Sequence, residues 1–235
     1  MDHAMPILLV PGLTCSARIY APVMPLLWRF GPVTVANHIR DDTMGAIARR
    51  ILAEAPPRFA LAGHSMGGYI AFEIMRQAPE RVAKLALINT QARPDTSEAS
   101  ARRRALMARA RDGGLHDVVD EMLPLLVHPS RTHEAALRAL FHDMADDVGV
   151  AGFINHQTAI MARADSRPTM AAIKCPTLVL TGDQDMLIPN SLSKEMADGI
   201  EGAKLVILPD CGHCPQPEKP EATTAVLVEW LGNQN

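Results

Sequence analysis

One hexapeptide, Gly63-His64-Ser65-Met66-Gly67-Gly68, limits what this chain can fold into more than any other stretch. A short apolar run, Phe59-Ala60-Leu61-Ala62, precedes it, as a buried strand would. A longer and almost wholly apolar run, Tyr69 to Arg76, follows it and reads as a buried helix. Strand, tight turn and helix thus meet at a serine. Glycines at 63 and 67 remove the Cβ atoms that would collide where strand and helix nearly touch. Ser65 is left on a strained backbone with its hydroxyl exposed at a sheet edge, the geometry of a nucleophile elbow. Gly-x-Ser-x-Gly alone also occurs in plain glycine-rich turns; the flanking strand and helix give it weight here.

The rest of the chain supplies a sheet to carry that turn. Further strands are predicted at Met5–Val10, Val33–Ala36, Leu85–Asn89, Pro176–Thr181 and Lys204–Leu208. Leu13 to Arg18 reads as a loop. Helices are expected over Val23–Trp28, Met44–Glu54 (capped from Asp41-Asp42-Thr43), Pro189–Gly199 and Glu218–Leu231. The alternation breaks once. Between about 93 and 167 only helical patterns occur: Ser97–Arg111, His116–Val127, His133–Met144 and Gly149–Arg163. Such a block between two strands reads as a helical insertion over the sheet. Six apolar strands alternating with helices predict a parallel sheet covered on both faces, in the spatial order 2-1-3-4-5-6. The order reverses beside the first strand, so a ligand crevice is expected where Leu13 and Ser65 face each other.

Composition narrows the function. The 235 residues are 48% hydrophobic and 21% charged, values of a globular chain long enough for one substantial core. A net charge of −3 provides no basic field for nucleic acid or an anionic membrane. No apolar run reaches the roughly 18 residues needed to span a bilayer, and the first residues lack the pattern of a signal peptide, so a cytoplasmic location is expected. The four cysteines are too scattered for a disulfide framework.

A serine hydroxyl is a weak nucleophile at neutral pH. It needs a base to take its proton, and the base needs an acid to fix its tautomer. Ser65, Asp185 and His213 occur in that chain order, each just past a predicted strand. Together with Val10-Pro11-Gly12-Leu13, the elbow, the Gly182-Asp183-Gln184-Asp185 turn with Pro189 four residues on, and Gly212-His213, they make the chain resemble the α/β-hydrolases, closest to small cap-bearing esterases and enol-lactonases. The resemblance spans residues 7 to 213 apart from the insertion. It implies an α/β-hydrolase fold with a mostly parallel sheet of about six strands. Residues 1–92 and 168–235 would form the core and 93–167 a helical cap. It also implies catalysis by Ser65, Asp185 and His213, and an oxyanion hole from the backbone N–H groups of Leu13 and Met66. Two departures stand out. Only a few residues precede Ile7, so the family's N-terminal hairpin is expected to be missing or truncated, and the His-Gly often found in its oxyanion loop is Pro11-Gly12 here.

Asp185 is the expected acid rather than Asp183. Asp183 sits at the turn itself, where a short carboxylate tends to bond backbone N–H groups. Under the cap, Leu106, Met122, Leu126 and Phe153 are candidates to line an apolar pocket. His64 reads as structural, and His128, His133, His142 and His156 read mostly as surface residues. Cys211-Gly212-His213-Cys214 spells a Cys-x-x-Cys, but it lies near the chain's end before prolines and not at an early helix start, so neither redox nor zinc chemistry is expected. Arg102-Arg103-Arg104 reads as a solvated helix face.

The expected activity is hydrolysis of a small carboxylic ester or lactone through an acyl-enzyme at Ser65, with no cofactor and no metal. The same triad also serves cofactor-free haloperoxidases and perhydrolases, carbon–carbon bond hydrolases, lyases and acyltransferases. A binding protein on this scaffold is a further alternative. Substrate and oligomeric state are not legible in the sequence.

Overall fold

The apolar runs become six strands in a computed structural model that describes residues 4–233. They are β1 Ile7–Val10, β2 Val33–Val35, β3 Phe59–His64, β4 Val82–Ile88, β5 Thr177–Gly182 and β6 Lys204–Leu208. Every pairing is parallel and the order is β2-β1-β3-β4-β5-β6, as the sequence predicts. Parallel strands point all their C-terminal ends to one edge, so the turns after β1, β3, β4, β5 and β6 share it.

Both faces of the sheet are covered, because successive side chains of a strand point to opposite sides. Ile7, Leu9, Ala62 and Ile88 belong to one apolar cluster. Leu8, Val10, Leu61 and Leu87 belong to the other. Each large aliphatic chain so enclosed stabilises the fold by about 1.5–3 kcal/mol. Helices α1 Met24–Leu27 and, near the chain's end, α10 Pro220–Gly232 contribute Leu27, Leu227 and Trp230 to the first face. On the second face, α2 Met44–Glu54 and α3 Met66–Gln77 contribute Ile47, Ile51, Ile70 and Ile74. Thr43 caps α2 by accepting from Ala46 N–H at 3.2 Å, while Asp41 turns to Arg50 at 2.6 Å.

Between β4 and β5 the chain is helical: α4 Ser97–Arg111, α5 Leu115–Leu126, α6 Ala135–Met161 and α7 Arg167–Met170. The sequence predicts two helices where α6 stands. The break between them falls at Gly149, whose non-helical φ of +68° and ψ of 170° divide α6 into two helical stretches at a kink. Asp147, just before this bend, is engaged by Ser16 at 2.7 Å and Arg18 at 2.8 Å. After β5 come α8 Asn190–Gly199, then β6, α9 Pro215–Glu218 and α10. The final helix of the sequence reading is α10, which starts two residues later than expected and is preceded by the separate turn α9. Lys219 precedes Pro220, which disfavours helical backbone, and it takes φ −135°. The predicted loop after β1 contains a further 3₁₀ turn, Ala17–Tyr20, started by Ser16. Among the described residues no helix is long and apolar enough to cross a membrane.

Candidate active site

Ser65 sits between β3 and α3 with φ +54° and ψ −117°, outside the regions comfortable for a residue with a side chain. Such a conformation costs of order 1–3 kcal/mol and persists only where its surroundings hold it. Here they do. Ser65 N–H donates to Ile88 O at 2.9 Å, and Ser65 O accepts from Thr90 Oγ1 at 2.7 Å and Gly68 N–H at 2.9 Å. The turn is also too tight for side chains. A Cβ on Gly63 would stand 2.3 Å from Gly67 O, and one on Gly67 would stand 2.1 Å from Val10 O.

The turns after β5 and β6 bring two partners to this serine. His213 Nε2 lies 2.8 Å from Ser65 Oγ, and His213 Nδ1 lies 2.8 Å from Asp185 Oδ2. Asp185 Oδ2 also accepts from Asn89 Nδ2 at 2.9 Å, and Oδ1 accepts from Leu187 and Ile188 N–H at 2.9 Å each. Burial pushes the Asp185 carboxyl up, but His213, Asn89 and the backbone donor outweigh it, and its pKa falls below the ordinary value. An ionised Asp185 can only accept, so Nδ1 carries the imidazole proton and Nε2 is free to accept from Ser65. Asp183 stands apart: its Oδ1 accepts from Cys211 N–H at 3.1 Å and ties the β5 turn to the β6 turn.

Leu13 and Met66 line the same cavity as Ser65. Met66 N–H opens α3 and is one of the donors a helix leaves unpaired at its start. The two peptide groups flanking Leu13 are pinned by histidines. Gly12 O accepts from His38 Nε2 at 3.0 Å, and Thr14 N–H, at φ +59°, donates to His156 Nδ1 at 3.4 Å. The two rings stack with centroids 4.3 Å apart. Burial holds both neutral, pulling His38 down to about 4 and His156 well below its ordinary value. His156 is therefore an interior support of the loop after β1, not a surface residue.

The loop carrying His213 is held from behind. The buried Glu218 carboxylate accepts from Gly212 N–H (3.1 Å), Cys214 N–H (3.2 Å) and, from the helical segment, His128 N–H (2.6 Å). His64 Nε2 donates to His213 O at 3.0 Å, and burial draws its pKa down to about 3. Cys211 and Cys214 are free, buried thiols, and burial pushes both pKa values up, which disfavours thiolate chemistry. Among the described residues no group of three or more His, Cys, Asp or Glu side chains is arranged to hold a metal ion.

The cavity over Ser65 has a volume of about 380 Å³. Met122 and Leu126 line it; Leu106 and Phe153, expected there too, do not. Leu106 lies one helical turn beyond Arg102 and Arg103 and two beyond Ala99, past the part of α4 that faces the cavity, and packs against the first apolar cluster. Phe153 is wholly enclosed within that cluster. Arg103 departs from the sequence reading in the other direction. It turns inward, with Nε on Asp95 and Nη1 on Gln157 Oε1 at 2.8 Å, and both it and Arg102 line the cavity. A run of arginines shows that a helix is charged but not which turn faces in. Asn89 was also missed, since a lone asparagine after an apolar run reads only as a strand end.

The sequence profile of the alpha/beta hydrolase family matches residues 7–226. The chain belongs to this family. Among similar curated proteins is the "Putative carbamate hydrolase RutD" of Klebsiella pneumoniae, 31% identical over 211 residues that cover 86% of this chain and 76% of that one. Among solved structures, a thermophilic esterase from Thermogutta terrifontis is 31% identical with a TM-score of 0.87, over 97% of this chain and 89% of its own. The enol-lactonase of Burkholderia xenovorans LB400 is 26% identical with a TM-score of 0.87, over 99% of this chain and 93% of its own. As an alpha/beta hydrolase, the chain carries Ser65, Asp185 and His213 at one sheet edge.

Proposed function

We propose that this protein is a serine hydrolase that opens small carboxylic esters or lactones through an acyl-enzyme on Ser65. The observation that carries this reading is the unbroken chain Ser65 Oγ, His213, Asp185, with 2.8 Å at each link. In it, His213 Nε2 takes the Ser65 proton as Oγ attacks the acyl carbon. Asp185 holds the tautomer and stabilises the imidazolium that forms. Leu13 and Met66 N–H groups receive the charge that develops on the carbonyl oxygen. His213 then returns the proton to the departing alcohol and activates a water that releases the acid. The helices of residues 93–167 act as a cap that limits water and shapes the cavity.

The 31% identical relative named for carbamate hydrolysis favours a second reading, in which the scissile carbonyl is that of a carbamate. The attack on the carbonyl carbon and the departure of an alcohol are the same; what differs is the group left on Ser65, a carbamoyl in place of an acyl. The experiment is turnover of p-nitrophenyl acetate and butyrate beside a p-nitrophenyl carbamate, with fluorophosphonate labelling. Ser65 should be the labelled serine, and Ser65→Ala should lower kcat by about 10⁶-fold, as loss of a triad nucleophile does elsewhere. Full activity in that variant ends the proposal; carbamate turned over faster than either ester replaces the first reading with the second.

A further inference from the structure

Four arginines line the cavity that holds Ser65, namely Arg93, Arg102, Arg103 and Arg163, against one carboxylate wall residue, Asp95. Two of the four are spent. Arg93 is paired with Glu195 at 2.9 Å. Arg163 gives Nη1 to Asp95 and to Ile160 O at 2.9 Å each, gives Nε to Arg93 O at 3.0 Å, and lies 4.4 Å over the Tyr69 ring. The other two keep free donors. Arg103 reaches Asp95 and Gln157 with Nε and Nη1, and its Nη2 has no protein acceptor among the described residues. Arg102, one residue along the same helix, has no hydrogen-bond or ion-pair partner among them at all. Asp95 is thus shared between Arg103 and Arg163, and cannot neutralise both.

Arg102 is exposed at the cavity wall, while Arg103, 21% exposed at its side chain, shares its one carboxylate with Arg163, so the wall carries more positive charge than Asp95 offsets. The planar guanidinium fork matches a carboxylate, which accepts two parallel N–H bonds. Met122, Leu126 and Phe141 elsewhere in the lining are apolar. The cavity therefore offers three things: the serine, an apolar wall and unspent guanidinium donors.

We propose that Arg102 and Arg103 form an anion subsite that takes a free carboxylate of the substrate, so that the preferred substrates are esters or lactones with a carboxylate a short apolar chain away from the scissile carbonyl. This rests on the hydrolase reading above. The subsite supplies binding energy remote from the reacting carbon, which orients the acyl group toward Ser65 and rejects neutral isosteres that leave the arginines unpaired.

The test uses a matched pair of methyl esters, monomethyl adipate and methyl hexanoate, followed by acid release in a pH-stat. They differ by a carboxylate in place of a terminal methyl. The wild-type enzyme should favour monomethyl adipate in kcat/KM by about tenfold or more. Arg102→Met and Arg103→Met should each shrink that ratio by about tenfold, chiefly through KM. Arg104→Met removes the same charge from the same helix but outside the cavity lining, and should leave the ratio within about twofold. A wild-type ratio near one, or an equal loss in Arg104→Met, overturns the subsite while leaving hydrolysis of methyl hexanoate intact. Calorimetric binding of adipate, the acid product, gives a readout that needs no turnover. It should weaken about tenfold in Arg102→Met, and no measurable binding to the wild-type protein overturns the proposal even if neither ester is cleaved.

Discussion

The strand ends beneath the cavity and the helices that cover it are built on opposite terms. Beneath, polar groups are buried and directed. Asp185 accepts from His213, Asn89, Leu187 and Ile188, and Glu218 gathers three backbone N–H groups around the His213 loop. Above, apart from the Asp95, Arg103 and Arg163 cluster at the cavity wall, the ion pairs lie nearer the surface. Arg138 and His142 share Asp120, His116 meets Asp146, and Arg109 meets Glu121. The first region fixes atoms to within a hydrogen bond; the second fixes only a shape. Short, directed bonds to buried side chains are thus concentrated around Ser65, His213 and Asp185.

That contrast is broken or sharpened most strongly at the acid. Asp185→Asn should keep the fold but lower kcat on an activated ester by up to about 10⁴-fold, because the imidazole loses its enforced tautomer. Asp183→Asn, which touches only Cys211 N–H, should cost far less. The reverse order of effects would exchange the two roles. Next comes Asn89→Ala, which removes one donor from an ionised carboxylate. Such bonds are worth about 1.5–3 kcal/mol, which corresponds to a fall in kcat of roughly tenfold to a hundredfold if the loss appears in the transition state. An unchanged kcat would show that the acid is held well enough without it.

A third test concerns the buried imidazoles. Burial draws His38 down to about 4, His64 down to about 3 and His156 well below its usual range. The unfolded chain titrates them near 6.5, so as pH falls below about 6.5 it binds protons that the folded chain refuses. Stability conferred by these groups is complete above about 6.5 and is lost as pH falls toward 4. Glu218, pushed up by burial, works the other way, one group against three. Tm should therefore decline between pH 7.5 and 5, and a flat profile would contradict the buried, neutral assignment. The smallest effect belongs to the cover. Arg138→Met breaks an exposed pair and should move Tm by no more than about 2 °C. A larger drop would mean that the cover is as tightly specified as the strand ends.

The same contrast explains what the sequence discloses. Buried strands announce themselves as short apolar runs, and close backbone approach announces itself as Gly63 and Gly67. The order of all six strands was readable for that reason. The nucleophile, acid and base candidates were readable because each follows a strand directly. Side chains that matter through distant partners were not. Asn89 meets Asp185 across 96 residues, and Arg103 meets Gln157 across 54. No local pattern encodes such meetings. The cover failed in the same way: helical spacing put Leu106 on the right stripe of α4, but only packing decides how far along that stripe the cavity extends.

Ser65 and His213 touch across 148 residues of chain, and His213 follows the last strand to join the sheet. A nascent chain that has reached only β4 already holds the strands and glycines that shape the serine turn, yet it has neither acid nor base. On the serine-hydrolase proposal, the centre is therefore complete only once the chain beyond β6 has been made. Closing so long a loop is entropically slow compared with forming the helices. On that proposal, recovery of turnover after denaturation should lag recovery of helical signal, because turnover waits for β6.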